Sequence, residues 1–97
     1  MFLIVLPDEA ADDGLLRRLQ RGDTSAVIET YERYFAPLYQ YARLKVGSRA
    51  AAQDIVSDVF VKLIEVSGRP SAPRLNLRGW LFSVARLPQR MTLDFRD

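Results

Sequence analysis

AAQDIVSDVFVKLIEV, residues 51–66, decides the fold. Wound at about 100° per residue, it places Ala52, Ile55, Val56, Val59, Phe60 and Leu63 on one face. That period specifies an amphipathic helix. Asp54, Asp58, Lys62 and Glu65 form a narrow charged stripe on the opposite side. Asp54 and Asp58 lie one turn apart, and like charges at that spacing weaken an isolated helix slightly. Asp58 and Lys62 have the i, i+4 spacing of an ion pair. Val61, although apolar, falls beside the carboxylates, and Ile64 lies on the border. Single exposed apolar residues are ordinary on a protein surface. The alternative is a docking surface: carboxylates set register and association rate against basic partner groups, and Val61 and Ile64 are buried between them.

Helices extend outward from this one on both sides. Upstream, Asp12 or Asp13 can cap a first helix carrying Leu15, Leu16 and Leu19. Gly22 stops it, and Asp23 or Thr24 caps a second. Val27, Ile28, Tyr31, Phe35, Leu38 and Ala42 follow the i, i+3, i+4, i+7 rule along that second helix. Pro37 lies inside it and is expected to kink or split it. Gly47 and Ser48 separate it from the third helix, Arg49 to Val66, which is about 27 Å long. Downstream, residues 67–76 form a loop with Gly68, Pro70 and Pro73. A fourth helix begins near Asn76 or Leu77 and carries Trp80, Leu81, Val84 and Ala85, until Pro88 interrupts it. Trp80 sits at core spacing and is read as packing rather than as a stacking platform. Strand alternation is nearly absent outside MFLIV. Short connections favour antiparallel neighbours, so the expected fold is all-α, a compact bundle of about four helices.

The chain of 97 residues suits one small domain. It has neither cysteine nor histidine. That rules out disulfides, thiol nucleophiles, a Ser–His–Asp triad and most metal sites. No cofactor and no enzymatic activity are expected. No apolar run approaches a membrane span, and the opening MFLIVLP lacks a basic flank and a cleavage site. A cytoplasmic protein without a membrane partner is expected. Net charge is +2, unevenly spread. Asp8, Glu9, Asp12 and Asp13 make the start acidic. Residues 69–97 hold six arginines against Asp94 and Asp97. An arginine cluster suits phosphate and nucleic acid, although a solvated surface looks the same in a charge count.

Three blocks resemble one family. GDTSAVIETYERYFAPLYQYA is similar to the first block of the ECF-type sigma factors of bacterial RNA polymerase. AAQDIVSDVFVKLIE is similar to their next block, which reads like AEDLVQEVFLKLW. RGWLFSVAR resembles the WLYRIAR block that follows a variable loop. The blocks occur in the family's order and spacing over roughly residues 12–87, and the resemblance is to region 2. It implies docking on core RNA polymerase, on the coiled coil of the β′ clamp, through the residue 51–66 helix. Asp54 and Asp58 match the family's acids, Ser57 stands where the family has glutamine, and Gln53, Val61 and Ile64 flank them. Arginines on the clamp would pair with the carboxylates. The resemblance also implies recognition of the melted minus-ten promoter element, on the non-template strand, by the loop and the helix that it opens. Arg74, Asn76 and Arg78 are the candidates there, with Arg86 and Arg90 on phosphates. Asn76 suits a base edge and equally suits a helix N-cap.

The chain departs from the family at Leu87, where asparagine is usual, and at Pro88, which costs about 3 kcal/mol inside a helix. The resulting division is an arm at 1–13, a helical domain at 14–87 and a divergent tail at 88–97. On this reading the family's second domain, with its helix-turn-helix, is expected to be missing. An excised region 2 and a stand-alone protein both fit. A different function is an interaction module that binds polymerase or an anti-sigma factor without reading DNA.

Overall fold

The computed structural model describes residues 12–87. They form α1 (Asp12–Gln20), α2 (Thr24–Lys45), α3 (Arg49–Val66) and α4 (Leu77–Arg86), with no strand among the described residues. The all-α bundle of four helices read from the periodicity is the fold. The MFLIV segment, the tail after Leu87 and Arg90 lie outside the described residues.

Local chemistry sets the helix ends. Asp23 caps α2, its carboxylate accepting from the Ser25 backbone at 2.9 Å and the Ser25 hydroxyl at 2.7 Å. The hydroxyl and Arg18 hold this carboxyl down at about 2. Ser48 caps α3 by accepting from the Ala51 N–H at 3.0 Å. Lys45, in the last turn of α2, reaches the far end of α4 and donates to the carbonyls of Ala85 (3.0 Å) and Arg86 (2.8 Å). A cation there satisfies carbonyls that a helix C-terminus leaves open.

The long pair α2 and α3 is antiparallel: Tyr31 rests edge-on against Phe60, while Ile28 and Ile64 line one pocket. Leu15, Leu16 and Leu19 of α1, and Leu77, Leu81 and Ala85 of α4, close the core. Trp80 packs against it, half-buried.

The second helix departs from its sequence pattern twice. It runs unbroken through Pro37, which is buried. Burial of Tyr34, Leu38 and Ala42 on either side holds together a helix that the proline alone opposes by about 3 kcal/mol. Its buried residues are Ala26, Thr30, Tyr34, Pro37, Leu38 and Ala42. Ile28 and Tyr31, which the periodicity places in the core, are exposed. Two polar residues take the inside positions because each has a partner there. The Thr30 hydroxyl donates to the Ala26 carbonyl at 2.7 Å, and the Tyr34 hydroxyl donates to Asp12 at 2.6 Å.

The loop from 67 to 76 lies along α1. The Gly68 N–H donates to the Leu19 carbonyl at 2.9 Å, and the Gln20 side-chain amide donates to the Pro73 carbonyl at 3.3 Å. Ala72 and Pro73 are buried. Gly22 and Gly68 both have positive φ, 80° and 79°, where the turn after α1 meets the end of α3.

Candidate functional site

The outer face of α3 carries the first candidate surface. Gln53, Asp54, Ser57, Val61 and Ile64 are exposed, and Asp58 is half-buried. Among the described residues no ion pair joins Asp58 to Lys62, despite their spacing. Instead Asp58 Oδ2 is buried without a hydrogen-bond partner. Burial, and then the charge on Asp54, push the Asp58 carboxyl above its ordinary value. An unsatisfied buried carboxylate oxygen costs free energy until a donor reaches it. This face therefore has an acceptor waiting for a donor, with an apolar flank.

That flank is wider than α3. Ile28 and Tyr31 of α2 are exposed beside Ile64 and Phe60. Tyr31, Phe35 and Tyr39 form a run of ring contacts along α2, with centroids 5.3 and 5.7 Å apart. Ile28 and Tyr31 were not legible as surface residues. The available signal was that α2 bears two overlapping apolar stripes, only one of which can face inward.

The start of α4 and the loop before it carry the second surface. Asn76 is the N-cap of α4: its Oδ1 accepts from the Gly79 N–H at 2.9 Å. The side chain is exposed, and among the described residues its amide nitrogen donates to no group. The N-cap read as one alternative in the sequence is thus made, and it uses only the oxygen of the side chain. Arg74 is exposed. Arg78 is half-buried, its guanidinium against the Tyr34 hydroxyl. Arg86 is exposed in the last turn of α4, a helix length away from Asn76. Arg74 and Asn76 are thus near neighbours, Arg78 is engaged with the fold, and Arg86 stands apart.

Asp12 joins this region to the bundle. Its side chain turns inward rather than capping α1, and is almost fully buried. It accepts from Tyr34 and stands 3.7 Å from Arg33. Burial, then the bond to Asp12, push the Tyr34 phenol up to about 12. Asp12 and Asp13 also line an open pocket with Leu75 and Asn76. Among the described residues no cluster of acids could hold a metal, and no helix is long and apolar enough to cross a membrane.

The Sigma-70 region 2 family matches residues 30–95. The ECF RNA polymerase sigma factor BldN of Streptomyces coelicolor is 29% identical over 79 residues, covering 81% of this chain and 30% of its own length. The chain therefore spans less than a third of that relative. No solved structure gives a significant match.

Proposed function

The chain belongs to the Sigma-70 region 2 family, whose members serve transcription initiation, and from that premise we propose that it docks on bacterial core RNA polymerase through the outer face of α3. Asp58 carries this reading: its buried Oδ2 lacks a donor, next to exposed Asp54, Val61 and Ile64. A guanidinium from the β′ clamp coiled coil would satisfy it, while Val61, Ile64, Ile28 and Tyr31 bury apolar area around the pair. Gln53 and Ser57 add hydrogen-bonding groups at the edge. The test is binding to purified core polymerase. Wild type should bind, and Asp54→Arg/Asp58→Arg should not, with equal helix content by circular dichroism. Retained binding in the folded double variant would sink the reading.

The second half of the proposal is recognition of the melted minus-ten element on the non-template strand. Asn76 offers its free amide to a base edge while its oxygen keeps the cap, and Arg74 stands beside it for a phosphate. Arg86 would meet the backbone further along. Engagement of Arg78 with Tyr34 favours a competing reading, an interaction module that binds polymerase or an anti-sigma factor without DNA. Asn76→Ser separates them. Serine keeps the cap but lacks the amide. Loss of promoter-strand selectivity by the polymerase-bound variant supports base reading, and unchanged selectivity supports the module.

A further inference from the structure

Four exposed arginines meet along the line where α1 backs the loop. Arg17 in α1 and Arg21 in the turn that follows it are one helical turn apart, the Arg21 N–H donating to the Arg17 carbonyl at 3.3 Å. Arg69 follows Gly68, which is bonded to Leu19 and packs on the Gly22 backbone beside Arg21. Arg74 follows Pro73, which is bonded to Gln20. The ties between Leu19 and Gly68, and between Gln20 and Pro73, thus bring both pairs to one end of the molecule. None of the four has an acid within ion-pair reach among the described residues. Glu65, four residues before Arg69, makes no ion pair with it, and two other carboxylates at this end are engaged elsewhere. Asp23 and Glu29 are held by Arg18 at 3.0 and 2.9 Å, and Glu29 also by Arg33. Asp13 lies at the opposite end of α1.

We propose that Arg17, Arg21, Arg69 and Arg74 form a phosphate-binding face that carries the DNA backbone past Asn76 and onto α1. The proposal rests on the nucleic-acid reading above and extends it to a helix that this reading did not use. Guanidinium groups bind phosphate oxygens in a planar fork and are weakly hydrated, which suits a strand sliding over a convex surface. The division of charge fits as well. The pocket beside Asn76 is acidic, from Asp12 and Asp13, so it repels phosphate and leaves space for a base. The arginine end, past Pro73, attracts the backbone that leaves it.

The test is the salt dependence of binding between the full chain and a labelled random-sequence single strand, read by fluorescence anisotropy. Each phosphate contact on a single strand contributes about 0.7 to the slope of log affinity against log salt. Arg17→Gln/Arg21→Gln should therefore flatten the slope by about 1.4 and weaken binding at low salt by about tenfold or more. Arg43→Gln/Arg49→Gln removes equal charge from the other end of α2 and α3 and should leave the slope as in wild type. An unchanged slope in the α1 variant overturns the proposal. If Arg74→Gln still flattens it, the DNA reading stands without α1. Equal flattening in the control pair means diffuse charge and also overturns the proposal. Absence of salt-dependent binding by wild type removes both readings. Phosphatidylserine vesicles whose binding needs Arg17 and Arg21, when DNA binding does not, would assign the face to lipid.

Discussion

Gly68 and Gly22 meet backbone to backbone: a β-carbon on Gly68 would stand 3.1 Å from the Gly22 Cα. The reverse contact is looser, 3.4 Å from a β-carbon on Gly22 to the Gly68 Cα. Both residues are left-handed, which costs a residue with a side chain about 1–2 kcal/mol. Gly68→Ala should thus lose about 2 kcal/mol or more, and Gly22→Ala only the conformational part. Urea midpoints of the two variants check the order. Equal losses would mean that the close approach relaxes freely.

Tyr34→Phe should destabilise the bundle by about 2 kcal/mol, because it removes a hydrogen bond to a buried carboxylate. Its pH dependence has a definite sign. The folded chain holds the phenolic proton more tightly than the unfolded chain does. The contribution is complete below the ordinary value of 10.0 and is lost as pH rises to about 12. Subtracting the ultraviolet titration of the variant from that of wild type should leave a late phenol, that of Tyr34.

Asp58→Asn should stabilise the isolated chain while weakening its docking. The folded Asp58 carboxyl binds its proton more tightly than in the unfolded chain. Ionisation therefore opposes folding, and stability falls as pH rises from the ordinary value of 3.8 through the raised one. At neutral pH the variant should gain at least about 0.3 kcal/mol from relief of the Asp54 repulsion. The gain should vanish in acid below 3.8, where wild type is protonated too. Denaturation at the two pH values, with polymerase binding alongside, checks both halves.

Gly79→Ala offers a different separation. A β-carbon there would lie 2.6 Å from Asn76 Nδ2, so the asparagine must swing away. The helix gains about 1 kcal/mol in propensity and loses a cap of about the same size. Thermal stability should barely change, while strand selectivity should fall as it does in Asn76→Ser. A variant with wild-type selectivity would show that the amide's position is unimportant.

Ile28→Ser should leave stability within about 0.5 kcal/mol of wild type, since the side chain is 55% exposed. Polymerase binding should weaken several-fold if α2 shares the docking face. Titration of core polymerase against both proteins measures it.

The third helix was legible because one dominant stripe left no choice of face: Ile55, Val56, Val59, Phe60 and Leu63 are all buried. The second helix was not, since Ile28 and Tyr31 look more apolar than Thr30 and Tyr34. Thr30 finds its partner one turn back at Ala26, but that of Tyr34 is remote in sequence: Asp12 lies 22 residues away. The Asp58–Lys62 pair failed for a related reason. Spacing permits an ion pair, but Asp58 is half-buried while Lys62 stays exposed, and a pair at the surface gains little from holding together in water. Asn76 was readable as a polar residue at a helix start. Its cap needs only the side-chain oxygen, which accepts from Gly79, and this geometry is not written in the residue type.

The fastening of residues 67–76 to α1 bears on what binding a strand would cost. A slack loop surrenders about 1–2 kcal/mol of backbone entropy for each residue that it orders on a ligand. Here Gly68, Pro73 and Asn76 are already tied, and Ala72 is buried. That freedom is given up during folding rather than at the encounter. Contacts to a few nucleotides then lose less of their free energy to ordering the loop. A small surface built this way can hold a strand that the same residues on a slack loop would release.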